Sequence, residues 1–276
     1  LLTGASRGIG HATVLKLAAG GWDVFAGVRR AEDGESLLAA GPAGRITSLA
    51  LDVTDAEQIA ALDQALPERV DALVNNAGIV VPGPVEGLTM EDLRRQLEVN
   101  VVGQVAVTQA LLGRLRASRG RIVFVSSIGG RFSSPMMGAY SASKFALEGL
   151  ADALRVELRP WGIAVALIEP GAIDTDLWRR APDTARDTED ALRPELRELY
   201  AEHLSGIKKM IPRIQKQAST AEIVAAAVER ALTATRPRAR YLVGTDARLQ
   251  AAIGTALPTR AADAAIARFA GIRSKP

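Results

Sequence analysis

The chain has 276 residues, of which 48% are hydrophobic and 24% charged, enough for one large globular domain with a deep core. It has no cysteine and only two histidines, His11 and His203, which excludes disulfides and thiolate catalysis, makes a metal site or Ser-His-Asp triad unexpected, and fits a reducing, cytoplasmic setting. Its 34 basic and 31 acidic residues are interspersed, so the net charge of +3 is a solvated surface rather than a nucleic-acid footprint, and no apolar run is long enough to expect an integral membrane segment.

Leu1-Leu2-Thr3 reads as the end of a buried strand, and the leading residues of that strand are expected to precede Leu1. The stretch Gly4-Ala5-Ser6-Arg7-Gly8-Ile9-Gly10 follows, then a helical pattern through Val14, Leu15, Leu17 and Ala18. A glycine turn between strand and helix lets a phosphate approach the backbone and meet the free N–H groups of the helix start. The spacing is G-x-x-x-G-x-G rather than the common dinucleotide fingerprint, so packing and phosphate binding both remain open on this turn alone. Trp22 to Val28 reads as a second strand, followed by Arg29 and Arg30. An acid at this junction would bind a ribose 2′-hydroxyl, whereas an arginine accommodates a 2′-phosphate. Arg29, with Arg7 as a second cation, therefore favours NADP(H) over NAD(H), unless Glu32 and Asp33 neutralise the pair Arg29-Arg30.

Arg45 to Leu51 is a third strand, running into Asp52 and Val53 where a strand end meets a ligand crevice. Thr54 or Asp55 is expected to cap the next helix. Val70 to Val74 is the fourth strand, followed by Asn75-Asn76-Ala77-Gly78. A long helix opens at Thr89, which with Asp92 resembles a capping box, and Asn100 falls within its apolar stripe, where an amide must find partners. Arg121 to Val125 is the fifth strand, ending in Ser126-Ser127. In the helix after it, Tyr140 and Lys144 stand four residues apart on one face, and a neighbouring ammonium favours the phenolate. Alone, such a pair is most often a surface contact. Gly162 to Ile168 is a sixth strand, stopped by Pro170-Gly171 before Ile173 and Thr175.

Residues 176–218 change character, with scattered prolines and weak helical periodicity around 192–204, and read as a helical lid or substrate loop. His203 within it is expected to be a packing or surface residue. A helix from Thr220 and a seventh strand at Arg240 to Gly244 follow. The tail, about 246–276, is Ala-rich and helical, with Leu249, Ile253, Leu257, Ile266 and Phe269 as apolar points that could cover the pocket or a partner subunit. Alternating strands and helices predict an α/β fold: one domain over 1–276, a doubly wound, seven-stranded parallel sheet of Rossmann type. Every motif named above falls at the carboxyl edge of that sheet, which points to one site.

These motifs, in this order and spacing, resemble the short-chain dehydrogenase/reductase family over most of the chain, Leu1 to about Gly244. The resemblance implies that Thr3-Gly4-x-x-x-Gly8-x-Gly10 is the cofactor turn, that Asp52 and Val53 meet the adenine, and that Asn76-Ala77-Gly78 lines the adenosine side. It also implies that Asn100, Ser127, Tyr140 and Lys144 are the catalytic tetrad and that Pro170, Gly171, Ile173 and Thr175 hold the nicotinamide. In that mechanism Ser127 binds the substrate oxygen, Tyr140 transfers the proton, Lys144 lowers the tyrosine pKa and binds the ribose, and Asn100 holds a water. Val24 to Arg29 and Ser126 to Arg131 look most like members acting on steroids, retinoids and other hydrophobic alcohols or ketones. Several of those carry an acid after strand two, which this chain lacks. The implied activity is carbonyl–alcohol interconversion, with reduction of a hydrophobic ketone or aldehyde expected, NAD(H)-dependent alcohol oxidation as the alternative, and a non-catalytic dinucleotide binder as a more distant one. In the family the helices beginning near Thr89 and Tyr140 pair across subunits, so a homodimer or homotetramer is expected.

Overall fold

A computed structural model describes residues 1–272; within it the side chains of 253–256 and 269 are not described. The chain runs β1 (Leu2–Thr3), α1 (Gly8–Ala19), β2 (Val24–Val28), α2 (Ala31–Ala40), β3 (Ile46–Ala50), α3 (Ala56–Ala65), β4 (Ala72–Asn75), α4 (Met90–Leu97) and α5 (Gly103–Ser118). It continues β5 (Arg121–Val125), α6 (Gly138–Glu157), β6 (Ala164–Pro170), α7 (Asp176–Arg179), α8 (Ala181–Ala191), α9 (Pro194–Leu199), α10 (Ala201–Gln217), α11 (Ala221–Thr233), β7 (Arg240–Val243), α12 (Thr245–Ala256) and α13 (Thr259–Phe269). The strands form one seven-stranded sheet in the order β3-β2-β1-β4-β5-β6-β7, and every pairing is parallel. This is the α/β, Rossmann-like architecture expected. The strand order reverses between β1 and β4, which places a crevice at their carboxyl ends.

The sheet is buried on both faces because successive strand side chains point to opposite sides. Val123, Val125, Ala166 and Ile168 enter one core with Val14 and Leu17 of α1, Leu37 of α2, and Val224 and Val228 of α11. Their neighbours Ile122, Phe124, Val165 and Leu167 enter the other, with Leu62 of α3, Leu111 and Leu115 of α5, and Leu147 of α6. Local signals start the helices: Asp55 Oδ1 accepts from the backbone N–H groups of Glu57 and Gln58, and Thr89 Oγ1 accepts from that of Asp92 at 3.0 Å.

Three elements differ from the sequence reading. Helix α2 has weak apolar periodicity and a glycine, Gly34, in its middle, so it left no clear pattern. Strand β6 runs on through Glu169 and Pro170, because these residues pair with Leu242 and Val243 of β7. The long helix from Thr89 is broken by a π-turn, Glu98–Val102, where the Gly103 N–H donates to Glu98 O five residues back. The break accompanies Asn100, whose amide is drawn to the Ile79 backbone.

The segment between β6 and α11 is helical almost throughout, as α7 to α10. Its packed residues are few: Leu192, Leu196 and Leu204 gather around Met136, with Tyr200 and Ile207 beside them. His203 packs its ring on Tyr200, with centroids 5.1 Å apart. In the tail, Ala247 and Ala251 of α12 pack on Ile128 and Phe132, and the end of α13 reaches α10, where Ala270 lies against Gly206. Residues 273–276, and the Ile253 and Phe269 side chains expected among the tail's apolar points, lie outside the described residues. Among the described residues no helix is long and apolar enough to cross a membrane, and no group of three or more His, Cys, Asp or Glu could hold a metal.

Candidate active site

The glycine turn is built by close approach of two loops. Gly4 has φ +67°, and a Cβ there would lie 2.8 Å from Ala77 Cα; a Cβ on Gly10 would lie 2.1 Å from Gly4 O. Polar bonds lock the same contact. Thr3 Oγ1 accepts from the N–H groups of Asn76 and Ala77, both at 3.0 Å, and Asn76 Nδ2 donates to Gly4 O at 2.9 Å. Asn76 and Ala77 thus hold the turn as well as bordering it. Arg7 is the exposed N-cap of α1, 3.8 Å from Asp176 across the crevice, and Ile9 packs on the core beneath. Thr175 stands over Gly8, where a Cβ would meet its Cγ2 at 3.0 Å. The loop after β6 and the loop after β1 therefore face each other, although 171 and 4 are far apart in sequence.

At the end of β2, Asp33 forms a fork with Arg30, at 2.9 and 3.1 Å, and that guanidinium holds the carboxyl below the usual range. Of the two acids that could have neutralised the arginines, Asp33 takes Arg30. Arg29 stays exposed with no hydrogen bond or ion pair among the described residues. Asp52 bends its own loop: Oδ1 accepts from Thr54 N at 2.9 Å and Thr54 Oγ1 at 2.7 Å. Val53 beside it is buried in the core.

Ser127, Tyr140 and Lys144 come together at the end of β5. Ser127 caps the short turn Ile128–Gly130, accepting from Gly129 N at 3.0 Å, and Gly129 sits between it and the Tyr140 ring, since a Cβ there would meet Ser127 Oγ and Tyr140 Cε1 each at 3.4 Å. Lys144 is 4% exposed; its ammonium donates to Val125 O at 2.8 Å and lies 5.7 Å from the Tyr140 ring centroid. The electrostatics differ from the sequence expectation. Burial pushes the Tyr140 phenol up, and Ser127 opposes that shift. Burial also brings the Lys144 ammonium down to about 8, against the raising field of Glu148. The ammonium itself is bonded to a strand carbonyl.

Asn100 is wholly buried and its amide is fully engaged: Oδ1 accepts from Ile79 N at 2.8 Å, and Nδ2 donates to Ile79 O and Ser143 Oγ, both at 3.0 Å. Its side chain joins the loop after β4 to α6. Gly78 lies against this amide. Pro170 ends β6, and Ile173 is buried and bridged to Ser219.

Three features were not legible in the sequence. Asp246, at the start of α12, accepts from Ala172 N at 2.7 Å and occupies the space a side chain at Gly171 would need. Met136 is held at φ +67°, a region few non-glycine residues adopt, with its carbonyl accepting from Gly83 N at 2.7 Å. Behind Lys144 lies a charged cluster of Arg131, Glu148, Asp152, Glu169 and Arg240. Pairing of β7 with β6 is what brings Arg240 to it.

The cradle fits a dinucleotide on its own geometry: a turn at a helix start with three glycines whose positions leave no room for a Cβ, and a cation at the second strand's end that is unpaired among the described residues. Comparison with known proteins agrees. The family model for short chain dehydrogenases matches residues 1–186. The chain is 37% identical to an NADPH-dependent 3-dehydrocapnine reductase of Ornithobacterium rhinotracheale, over 88% of this chain and 87% of that protein. It is 36% identical to retinol dehydrogenase 7 of Rattus norvegicus, over 96% of this chain and 86% of that one. A solved short chain dehydrogenase from Burkholderia cenocepacia, in complex with NADP, superposes with a TM-score of 0.73 at 28% identity, covering 96% of this chain and 94% of that one. The chain belongs to the short-chain dehydrogenase/reductase family. It is an oxidoreductase that acts on carbonyl and alcohol groups with a nicotinamide cofactor.

Proposed function

We propose that the protein is an NADP(H)-dependent reductase of a hydrophobic ketone or aldehyde. The observation that carries the cofactor choice is Arg29, exposed and unpaired at the end of β2 while Asp33 is engaged by Arg30. A free guanidinium suits a phosphate dianion as a forked, charge-assisted donor. The similarity to an NADPH-dependent reductase and to an NADP-bound structure supports the same reading. The likeness to a retinol dehydrogenase supports an apolar substrate, taken under helices α7 to α10 acting as a lid.

When bound, the nicotinamide supplies the hydride. The chain's own residues do the rest. Gly4, Ser6, Arg7, Gly8, Ile9 and Gly10 would hold the pyrophosphate, Asp52, Val53, Asn76, Ala77 and Gly78 the adenosine, and Pro170, Gly171, Ile173 and Thr175 the nicotinamide. Ser127 donates to the substrate oxygen and stabilises its developing charge. Tyr140, a neutral phenol because burial raises its pKa, gives the proton to that oxygen in reduction. Lys144 brings a buried positive charge beside the ribose and the phenol. Asn100 positions α6 through Ser143.

Parallel fluorescence titrations with NADPH and NADH test the cofactor. NADPH binding at least about tenfold tighter is the expected result; tighter NADH binding would turn the reading toward alcohol oxidation, as the likeness to a retinol dehydrogenase would suggest. Phe145 and Leu150 on α6 and Val102 beside α5 are exposed apolar residues. They support pairing of these helices in a homodimer or homotetramer, which sedimentation velocity checks.

A further inference from the structure

The loop after β6 carries Gly171, Ile173 and Thr175, and backbone bonds tie most of it down. Gly171 N donates to Val243 O at 3.0 Å, Ser219 N to Ala172 O at 2.9 Å, and Asp174 N to Ser219 O at 2.7 Å. Among the described residues, one side chain from outside the loop bonds its backbone: Asp246 Oδ2 accepts from Ala172 N at 2.7 Å. Two glycines leave the seat for this carboxylate. A Cβ on Gly171 would overlap both of its oxygens, and a Cβ on Gly244, which has φ +102°, would overlap Oδ1. Beyond Asp246 the loop ends at Thr175, which stands over Gly8 of the dinucleotide turn.

The carboxylate is anchored on its other side to the serine turn. Asp246 lies in the first turn of α12, where the helix N-terminus favours a negative charge. The next residue, Ala247, is fully buried, and with Ala251 it packs on Ile128 and Phe132. Ile128 directly follows Ser127 in the chain. Helix α12 therefore touches the turn that holds Ser127 through its alanines, and the loop after β6 through Asp246. Among the described residues Asp246 has no ion-pair partner that would draw it elsewhere.

We infer that Asp246 is a positioning residue for hydride transfer: it fixes the spacing between Ser127, which holds the substrate oxygen, and the loop that borders the nicotinamide. An ionised acceptor makes this tie roughly twice as strong as a neutral one. Reacting carbons must meet in a near-attack geometry, and a misplacement of about 1 Å caused by a distant change can cost ~10²-fold in rate. The inference rests on the reading of 170–175 as the nicotinamide border of a carbonyl reductase.

The test compares NADPH with adenosine 2′,5′-bisphosphate, which has the adenosine half and no nicotinamide, in wild type, Asp246→Ala, Asp246→Asn and Gly171→Ala. Turnover is followed with the best substrate from a panel of aryl ketones and long-chain aldehydes. In Asp246→Ala, kcat should fall by about 10- to 100-fold and NADPH affinity by about three- to tenfold, with the bisphosphate bound as in wild type and the KM for the carbonyl within about threefold. Asp246→Asn keeps an oxygen that accepts from Ala172 N, so its kcat should lie between those of Asp246→Ala and wild type. Gly171→Ala drives a methyl into the carboxylate's seat and should reproduce the Asp246→Ala pattern; it carries the test if Asp246→Ala does not fold. A kcat within about twofold of wild type in either folded variant overturns the inference. So does equal weakening of NADPH and the bisphosphate, which would mark a general loss of structure. Absence of any NADPH-driven carbonyl reduction by the wild type would instead overturn the reading on which the inference rests, and so separates the two failures.

Discussion

The carboxyl edge of the sheet and the helical segment 176–217 border the same crevice but are held by different forces. At the edge, backbone meets backbone: Gly4 against Ala77, Gly10 against Gly4, Thr3 bonded to two successive N–H groups. Nothing there can move by a few tenths of an ångström without breaking a buried contact. In the segment, α7 and α8 bury no residue, and α9 and α10 bury only Leu196, Leu204 and Ile211. Exposed pairs such as Arg186–Asp183 and Lys208–Glu189 decorate it, and such pairs contribute little. Tyr200, donating to Glu86 Oε2 at 2.9 Å, and the looser Arg7–Asp176 ion pair cross to the body. The contrast teaches that cofactor geometry is set by steric necessity, while the substrate side is set by a few apolar points and is free to vary.

Substitutions at the edge should therefore dominate. Tyr140→Phe keeps the ring and removes the proton; a fall in kcat of about 10²–10⁴-fold with unchanged NADPH affinity is expected from steady-state kinetics and titration. Lys144→Met tests the buried charge by stability. The folded-state pKa of Lys144 is depressed to about 8, so the charged lysine costs stability below that value, and the cost fades as pH rises toward the ordinary lysine range. Urea unfolding should show wild type gaining on the Met variant by on the order of 3 kcal/mol between pH 7 and pH 10.5, while a constant difference would contradict the burial of the ammonium.

Gly10→Ala sets a methyl against the Gly4 carbonyl; a loss of about 1–3 kcal/mol in unfolding free energy, with weakened binding of both dinucleotides, is expected. Arg29→Ala should weaken NADPH by about tenfold and leave NADH unchanged in the same titration. The segment should respond differently. Leu204→Ala is expected to speed proteolysis within 176–217 and leave NADPH affinity as it was; equal loss of both would mean that the two regions are one cooperative unit. Arg186→Ala, the smallest effect, should change unfolding free energy by less than about 0.5 kcal/mol.

Local chemistry made the frame readable in advance. Apolar runs bounded by glycine and proline marked the strands, Asp55 and Thr89 marked helix starts, and the ordered motifs from Gly4 to Thr175 marked the family. These signals are short-range, and each residue carries its own. What lay beyond them depended on contacts between distant segments. The π-turn at Glu98–Val102 arises where Asn100 binds Ile79, and the helical spacing that runs past Asn100 gave no sign of it. Whether Arg29 or Arg30 stays free depends on which one Asp33 reaches once α2 has formed. Asp246 caps the loop at Ala172 from 74 residues away, and Arg240 meets Glu148 only because β7 pairs with β6. The Tyr140 phenol is raised rather than lowered for the same reason. Spacing on a helix says which side chains are neighbours, but burial and the choice of hydrogen-bond partner, which only the packed structure decides, determine the charge each one carries.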